Sequence, residues 1–224
     1  MIDIGILIAV RGGSKRVPNK NIRSFAGTTL LNNKIEQAKK TGFPVYVSTE
    51  DEEMKKVVLQ SGANLIERDP YYATDTVPMG DVYVYMAERF PHEHVIYMPV
   101  TSPMLSDQTL QKCISTYLDS CFSSIHDSVV TTTVLKEYLW EGDRAINYDP
   151  SNHPRSQDLP DIYALNFAVN ILPTKTMIRK KNILGDDFIS VEIDKLESID
   201  IDEEDDFIIA EILYNEKQRG RIER

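Results

Sequence analysis

Residues able to surround a phosphate group follow a short apolar segment, within Ala9-Val-Arg-Gly-Gly-Ser-Lys-Arg-Val-Pro-Asn-Lys-Asn21. Two adjacent glycines lack a Cβ, so the backbone can turn sharply there and approach a ligand closely. Turned backbone amides and a hydroxyl can bind phosphate oxygens, while basic side chains supply compensating charge. The candidates are Arg11, Gly12, Gly13, Ser14, Lys15 and Lys20. The pattern predicts a phosphate-binding loop, and an ordinary basic loop between a strand and a helix is the alternative.

The spacing of this loop differs from that of two other phosphate-binding patterns. Residues 9–21 contain neither the Walker pattern, which ends in Gly-Lys-Ser or Gly-Lys-Thr, nor Gly-x-Gly-x-x-Gly. An NAD-dependent dehydrogenase, which the predicted fold alone would allow, is therefore disfavoured.

Paired carboxylates form the second candidate site, in Ser198-Ile-Asp-Ile-Asp202. Asp200 and Asp202 are two residues apart, so in an extended segment both side chains leave the same face. Two converging carboxylates suit Mg²⁺, which takes few protein oxygens and completes its shell with water and substrate phosphates. We therefore predict a metal site at this pair, with plain surface charge as the alternative. The acids that follow, including Asp206, are expected to favour the first turn of a helix.

Charge is distributed unevenly along the chain, whose net charge is −10. No acid lies between Asp3 and Glu36, where six Lys or Arg side chains fall, whereas Glu192 to Asp206 holds nine acids and one Lys. The net charge disfavours a nucleic-acid partner. A basic loop suits a small polyanion and an acidic cluster suits a hard cation, although two solvated faces of opposite sign would give the same pattern.

The 224 residues suit one sizeable core, and no Gly-, Ser- or Pro-rich linker divides them. The first residues contain an acid and only a short apolar run, which predicts a first strand and no signal peptide. No stretch approaches the roughly 18 apolar residues of a membrane helix. Cys113 and Cys121 have no metal-binding spacing and are expected to be buried, reduced thiols. These observations predict a cytoplasmic protein without a membrane partner.

Alternating strand and helix patterns fill the first half of the chain and predict an α/β domain with a mostly parallel sheet. Ligands bind such sheets beyond the carboxyl ends of the strands, here at loops 11–28, 67–78 and 99–106. The predicted strands are Ile4–Val10, Val45–Ser48, Asn64–Ile66, His94–Met98, Ser128–Val134, Tyr163–Leu172 and Phe188–Ile193. The predicted helices are Leu30–Lys40, Asp51–Gln60, Met79–Phe90, Asp107–Asp119 and Asp202–Glu216.

Residues 136–160 break this alternation because they are polar, rich in proline and without clear periodicity. A long irregular stretch inside a compact domain is usually functional or covers a partner. We therefore predict one domain, 1–224, with an insertion at about 135–165. Weaker signals are a polar loop at Arg68 and Thr74-Asp-Thr76, suited to a base or ribose, and Thr101-Ser-Pro103, which could equally cap a helix.

Taken together, these motifs resemble the acylneuraminate cytidylyltransferases. The matching segments are Ala9–Lys15, Pro18–Asn21, Val47–Thr49, Arg68, Thr74–Thr76, Thr101–Pro103, Gln157–Pro160, Asn166 and Ser198–Asp202. The resemblance implies a Rossmann-like three-layer α/β/α fold of the nucleotide-diphospho-sugar transferase type, with CTP as donor and Mg²⁺ as cofactor. It also implies a homodimer made by the insertion, so that residues near Lys136 to Gln157 reach the partner's active site.

The resemblance further implies a role for each matching residue. Lys20, Arg11 and Asp202 would be catalytic, and Asp200 and Asp202 would bind the metal. The nucleotide would contact Arg11, Gly12, Gly13, Ser14, Lys15, Lys20, Arg68, Asp75 and Thr76. The acceptor would contact Thr101, Ser102, Arg155, Gln157, Asn166 and Asn170. The implied reaction is in-line attack of an acceptor oxygen on the α-phosphorus of CTP, with release of pyrophosphate.

Departures from the family pattern fall on the acceptor side. Ser156 and Leu105 stand where the family usually has Arg, Phe167 stands for a small residue and Asn170 for an aromatic one. A nonulosonic (sialic-type) sugar acid is the expected acceptor. A phosphonate or phosphate monoester, such as 2-aminoethylphosphonate or phosphocholine, is the alternative. A nucleotide sensor without catalytic activity is disfavoured because the phosphate and metal motifs are intact.

Overall fold

A computed structural model describes residues 2–123 and 126–222, with the backbone alone for 121–123. Its strands are β1 Ile4–Ala9, β2 Ser24–Phe25, β3 Thr28–Thr29, β4 Val45–Thr49, β5 Asn64–Glu67, β6 His94–Tyr97, β7 Ser128–Leu135, β8 Trp140–Glu141, β9 Arg144–Ala145, β10 Ile162–Pro173 and β11 Phe188–Glu192. Its α-helices are α1 Leu30–Lys39, α2 Glu52–Ser61, α3 Met79–Ala87, α4 Asp107–Ser123, α5 Thr174–Lys180 and α6 Glu204–Gln218. Two 3-10 helices span Pro70–Ala73 and Ser156–Asp158.

Seven strands form the central sheet, in the order β11-β7-β10-β6-β1-β4-β5. The β1–β4, β1–β6, β4–β5 and β7–β11 pairs are parallel, which confirms the prediction of a mostly parallel sheet. The exception is β10, which runs antiparallel to both β6 and β7. It does so because the chain leaves β7, forms the insertion and returns beside β7 without a crossover helix.

Alternate residues of β1 enter two separate cores, as expected of a strand covered on both faces. Ile6 and Ile8 pack with the core beneath α1, α2, α4 and α6, whereas Leu7 packs with the core beneath α3 and α5. All three side chains are 0% exposed. Burying each contributes roughly 1.5–3 kcal/mol. The predicted three-layer α/β/α arrangement is therefore confirmed.

Most of the predicted helices and strands form. Some begin or end at other residues than predicted, because capping interactions set the ends of the helices. Helix α2 begins after Asp51, whose side chain accepts hydrogen bonds from the backbone amides of Glu53 and Met54, and it ends at Gly62 in a left-handed conformation. Helix α6 begins at Glu204, two residues later than predicted, because Glu203 and Asp206 form a capping box. Helix α5 and the hairpins β2–β3 and β8–β9 were not predicted from the sequence.

The predicted insertion corresponds to residues 136–161, between β7 and β10. Asn147 holds it together, because its side-chain amide donates to Glu137 O at 2.8 Å and accepts from Leu139 N at 2.9 Å. Tyr138 packs against Tyr148 and His153. The segment thus has defined structure although it contains little sheet or helix.

Two further expectations concern the membrane and the cysteines. Within residues 2–123 and 126–222, no helix is long and apolar enough to cross a bilayer. Cys113 is a buried free thiol, and burial raises its pKa to about 12. Cys121 lies outside the described side chains.

Candidate active site

Three adjoining cavities form a cleft beyond the carboxyl ends of β1, β5 and β6, where ligands bind in sheets of this type. The central cavity, about 460 Å³, is lined by Ala9, Val10, Arg11, Ser14, Lys15, Arg16, Lys20, Asn21, Asp75, Pro99, Val100 and Thr101. The Arg68 cavity, about 320 Å³, shares Arg11 and Asp75 with it and adds Arg68, Tyr72, Thr74 and Met79. The aromatic cavity, about 250 Å³, shares Thr101 with the central one and adds Tyr83, Tyr97, Asn166, Phe167, Asn182 and Asp200.

The loop after β1 needs its two glycines for different reasons, close packing at Gly12 and backbone conformation at Gly13. A Cβ on Gly12 would lie 2.8 Å from a carboxylate oxygen of Asp51, and Gly13 has a φ of +66°. The loop is fixed from below by Val17, which is 0% exposed. The Asn21 side-chain amide adds a hydrogen bond of 3.0 Å to Arg11 O. The predicted sharp turn therefore forms.

The loop amide nearest the sheet already has a carboxylate partner. Gly12 N donates to Glu50 Oε1 at 2.7 Å, and the other carboxylate oxygen of Glu50 is buried without a hydrogen bond. Glu50 was not predicted as a site residue, although an acid close behind the predicted strand Val45–Ser48 was a usable signal. Gly12 was predicted to approach a phosphate, and its amide donates to this carboxylate.

Two basic side chains of the loop, Arg11 and Lys15, converge on Asp75. Arg11 Nη2 lies 2.6 Å and Lys15 Nζ 2.7 Å from the two carboxylate oxygens of Asp75. Arg11 Nη1 also donates to Ala73 O at 2.8 Å. Hydrogen bonds from Lys15 and Arg11 lower the pKa of Asp75. The structure thus brings three predicted nucleotide residues together, with Ser14 in the same wall and Thr76 hydrogen-bonded to Thr74 at 3.0 Å.

The basic loop meets the acidic segment through Arg16 and Lys20, two residues that line the central cavity. Arg16 Nη2 lies 2.6 Å from Asp202 Oδ1, and Lys20 Nζ donates to Ile201 O at 2.7 Å. Outside the cavity, Arg23 pairs with Glu204 at 2.7 Å. The two oppositely charged segments are therefore one contact surface and not two separate solvated faces.

Burial and charge perturb the groups at this contact. Desolvation lowers the pKa of Lys20, against the attraction of Asp200 and Asp202. Asp200 is partly exposed in the wall of the aromatic cavity, where desolvation raises its pKa against a hydrogen bond from Thr101. A cationic ligand at Asp200 would relieve this cost. Perturbed groups in a cleft mark a candidate functional site.

The two carboxylates fit a magnesium ion that is shared with phosphate. In the part of the chain that the structure describes, no group of three or more His, Cys, Asp or Glu side chains could hold a metal by itself. Mg²⁺ does not need such a group, since one or two carboxylates plus substrate phosphates suffice. Asp200 fits this role directly, whereas Asp202 must first leave Arg16.

The Arg68 side chain is largely occupied by the protein itself. It is 6% exposed, and its guanidinium donates to Ser48 O at 2.8 Å and Ser48 Oγ at 3.2 Å. Burial lowers its pKa. Arg68 therefore anchors the carboxyl end of β4 while forming one wall of its cavity, and contact with a nucleoside stays a prediction.

The residues predicted to contact the acceptor do not all line the cleft of this chain. Thr101 and Asn166 line the aromatic cavity. Ser102 is buried with its carbonyl bound to Lys34, and Asn170 is 0% exposed with its amide donating to Ile183 O. Arg155 and Gln157 lie in the exposed insertion, where Arg155 pairs with Asp158 at 2.7 Å, and the walls of the three cavities do not include them. Arg16, Tyr83, Tyr97 and Asn182 line the cleft without having been predicted, and Tyr83 had no signal beyond its place in a helix.

A fourth cavity, about 270 Å³, lies apart from the cleft between α1 and α6. Its polar groups bind one another: Lys34 Nζ donates to Ser102 O at 2.9 Å and to Gln37 Oε1 at 3.0 Å, while Gln37 binds Asp107. This network joins α1 to the loop that carries Thr101, so it has a structural role.

Solved structures of other proteins share the Rossmann-like fold of this chain. A structure of CMP:2-keto-3-deoxy-manno-octonic acid synthetase complexed with CTP superposes with a TM-score of 0.72, at 13% identity, over 96% of this chain and 99% of the other. A cytidylyltransferase from Leptospira borgpetersenii superposes with a TM-score of 0.60, at 15% identity, over 99% and 97%. At such identities the likeness concerns the fold alone.

Sequence comparison gives the family. The family model described as cytidylyltransferase matches residues 5–204, so the chain belongs to the cytidylyltransferase family. An N-acylneuraminate cytidylyltransferase from Streptococcus agalactiae is 26% identical over 90% of this chain, which spans about half (51%) of that relative's length. A pseudaminic acid cytidylyltransferase from Campylobacter jejuni is 27% identical over 93% of this chain and 94% of its own length.

Proposed function

We propose that this protein transfers CMP from CTP to a nonulosonic sugar acid and releases pyrophosphate. The observation that carries the proposal is the contact of Arg16 and Lys20, which line the central cavity, with the segment Ile201–Asp202. The cations that we propose for phosphate thus lie beside the carboxylates that we propose for the metal, in a chain of the cytidylyltransferase family. The relatives named for N-acylneuraminic and pseudaminic acid supply the acceptor class.

In the proposed reaction an acceptor hydroxyl oxygen attacks the α-phosphorus of CTP. The new bond joins that oxygen to the α-phosphorus, the bond from the α-phosphorus to the bridging oxygen breaks, and the hydroxyl proton is lost to solvent. Such reactions require little beyond positioning and stabilisation of charge. Arg11 and Lys20 would stabilise the negative charge that develops on the leaving pyrophosphate.

Lys20 is well placed for this role because it lies between the loop and the acidic segment. Its ammonium donates to a backbone carbonyl, Ile201 O, and not to a carboxylate, so phosphate oxygens can still be bound by its remaining protons. Partial burial also strengthens its interaction with an anion. Lys15 and Arg11 would exchange their contact with Asp75 for contacts with phosphate.

Magnesium would be held by Asp200 and Asp202 together with phosphate oxygens of CTP. The ion supplies Lewis-acid assistance at the phosphorus. Thr101 positions Asp200 through its hydrogen bond, and Ile201 N binds Thr101 O at 2.9 Å, so the loop after β6 holds the segment in place. Cytidine would occupy the Arg68 cavity, where Asp75 and Thr76 lie beside the ribose in this proposal.

A homodimer would complete the acceptor site. Trp140, Ile146 and Tyr163 on or beside the insertion are 48%, 55% and 55% exposed, a large apolar area for one segment. Arg155 and Gln157 could contact acceptor only in another chain's cleft, because they do not line their own. Light scattering should give twice the chain mass, and Trp140→Glu with Ile146→Glu should give monomers. A wild-type monomer at micromolar concentration would contradict this part of the proposal.

The use of CTP also favours a cytoplasmic location.

The test of function is pyrophosphate release from CTP and Mg²⁺ with a panel of acceptors. Sialic, legionaminic and pseudaminic acids form one arm, and 2-aminoethylphosphonate and phosphocholine form the other. We expect the wild type to turn over a sugar acid. We expect no turnover by Asp202→Asn, whose fold should be unchanged. Turnover with the phosphonate or phosphate arm alone would support CMP transfer from CTP but contradict a sugar acid as the acceptor. Release with UTP or ATP but not CTP would overturn the nucleotide.

A further inference from the structure

A strained residue lies at the edge of the aromatic cavity. Phe167 has a φ of +55°, a left-handed conformation that is strained for a residue with a large side chain. It sits in β10 where the pairing with β7 shifts register between Leu165 and Asn170. Phe167 is 38% exposed, and it lines the cavity together with Tyr83 and Tyr97.

The surrounding bonds hold this strained conformation in place. Asn166 Nδ2 donates to Thr133 Oγ1 at 2.7 Å, while Asn166 Oδ1 accepts from Ala168 N at 3.3 Å. On the other side, Val169 N donates to Thr131 Oγ1 at 3.2 Å. Strain that the neighbouring structure maintains in this way concentrates at ligand sites. The bulge therefore turns a large aromatic ring towards the cleft instead of packing it in a core.

The walls of the aromatic cavity carry no Lys or Arg side chain. Tyr83 and Tyr97 form an edge-to-face pair with ring centroids 5.7 Å apart, and Pro99 and Ile183 add apolar surface. The polar groups are the amides of Asn166 and Asn182, Thr101 and the Asp200 carboxylate. Such walls suit uncharged apolar groups with a few hydrogen bonds, and they disfavour an anion.

We propose that Phe167 determines acceptor specificity, by packing its ring on deoxy and N-acyl groups of the sugar acid in the aromatic cavity. This inference rests on the proposed function. The acceptor's carboxylate then points away from this cavity, towards the cations of the central cavity or of a partner chain. Acids with more deoxy and acyl groups, such as pseudaminic and legionaminic acid, are preferred over N-acetylneuraminic acid, whose side chain is hydroxylated.

Two variants separate the ring from the backbone strain. Phe167→Ala and Phe167→Gly both remove the ring, but only Gly tolerates the left-handed backbone without strain. Both should lower kcat/KM for pseudaminic acid by about tenfold, as expected for loss of an apolar contact in a specificity pocket. Both should reduce the preference for pseudaminic over N-acetylneuraminic acid, while KM for CTP changes less than about twofold. Phe167→Gly should melt roughly 2–4 °C above Phe167→Ala.

The outcomes distinguish this inference from the function beneath it. The wild type could turn over both acids while the ratio of their kcat/KM values changes less than twofold in both variants. That result would overturn the role of Phe167 and leave the proposed function standing. A ratio that changes in Phe167→Ala but is restored in Phe167→Gly would assign the effect to strain and also overturn it. Absence of turnover by the wild type with every sugar acid would overturn the proposed function, and this inference with it.

Discussion

Arg16 Nη2 lies 2.6 Å from Asp202 Oδ1, so a cation of the glycine loop occupies one of the two carboxylates proposed for magnesium. The side chains are 60% and 53% exposed. An exposed pair of this kind contributes about 0.2–1 kcal/mol. The ion pair must open for Asp202 to bind a metal.

Removing the competing cation should therefore strengthen metal binding. Arg16→Ala is expected to lower the dissociation constant of Mn²⁺, used as a magnetic probe for Mg²⁺, by about two- to fivefold in the nucleotide-free protein. Electron paramagnetic resonance of free Mn²⁺ measures this directly. Arg23→Ala, which removes the neighbouring pair with Glu204, is the matched control and should change it little. Weaker Mn²⁺ binding in Arg16→Ala would show that Arg16 supports the site instead of competing for it.

Two acids four residues apart should have different functions. Asp206 Oδ2 accepts from Glu203 N at 2.8 Å and from Asp202 N at 3.0 Å, so it caps α6. Asp206→Ala should cost about 0.5–2 kcal/mol in the free energy of unfolding and keep most of the activity. Asp202→Asn should keep the stability and lose at least about a hundredfold in kcat, since it would remove a metal ligand. Urea unfolding and pyrophosphate release measure the two effects, and equal effects of both variants on activity would contradict this division.

Lys34 should make stability depend on pH. Burial lowers its pKa from 10.5 to about 7, so between these values the unfolded chain binds more protons than the folded one. The free energy of unfolding contributed by Lys34 therefore rises with pH across this window. Relative to Lys34→Met, the wild type should gain about 2–3 kcal/mol between pH 7.5 and pH 9.5.

Urea unfolding at both pH values measures the difference between wild type and Lys34→Met. The matched control is Lys56→Met, at an exposed lysine on α2. Its difference from the wild type should stay constant with pH. A constant difference for Lys34→Met as well would mean that the hydrogen bonds to Ser102 O and Gln37 Oε1 keep the ammonium charged.

Glu50 should stabilise the glycine loop from beneath. Its carboxylate accepts from Gly12 N at 2.7 Å, a charge-assisted hydrogen bond. Glu50→Ala leaves that amide without its acceptor and should lower the free energy of unfolding by about 1–3 kcal/mol. Glu53→Ala, at an exposed position on α2, should change it by less than about 0.5 kcal/mol. Guanidinium unfolding measures both variants. Equal losses of unfolding free energy in Glu50→Ala and Glu53→Ala would show that Glu50 does not anchor the loop.

The architecture could be predicted from the sequence because central strands of the large sheet, such as β1, are short apolar runs. The run at Ile4–Val10 predicted a buried parallel strand, and the alternation of strands with helices predicted the layers. The antiparallel direction of β10 was not predictable, since strand direction depends on the path of the chain through the insertion and not on local pattern. Helix α5 was missed because its seven residues are too few for a clear period.

The site was partly predictable for a similar reason. Glycines and charged residues next to strand ends, such as Arg11 and Gly12, can be recognised in a sequence because their types are unusual there. Long-range pairs are not visible: nothing local connects Arg16 to Asp202, or Arg11 to Asp75 across 64 positions. The assignment of Ser102 and Asn170 to the acceptor stays a prediction, and both side chains are buried. Their burial depends on tertiary packing, which a motif does not specify.

Formation of the CMP ester tests the central claim most directly. CTP, Mg²⁺ and a nonulosonic acid would be incubated with the wild type and with Asp202→Asn, and the products followed by ³¹P NMR and mass spectrometry. We predict one pyrophosphate for each CMP-sugar acid formed by the wild type, and neither product from the variant. Pyrophosphate with free CMP, and no CMP-sugar acid, would show hydrolysis of CTP and contradict the account.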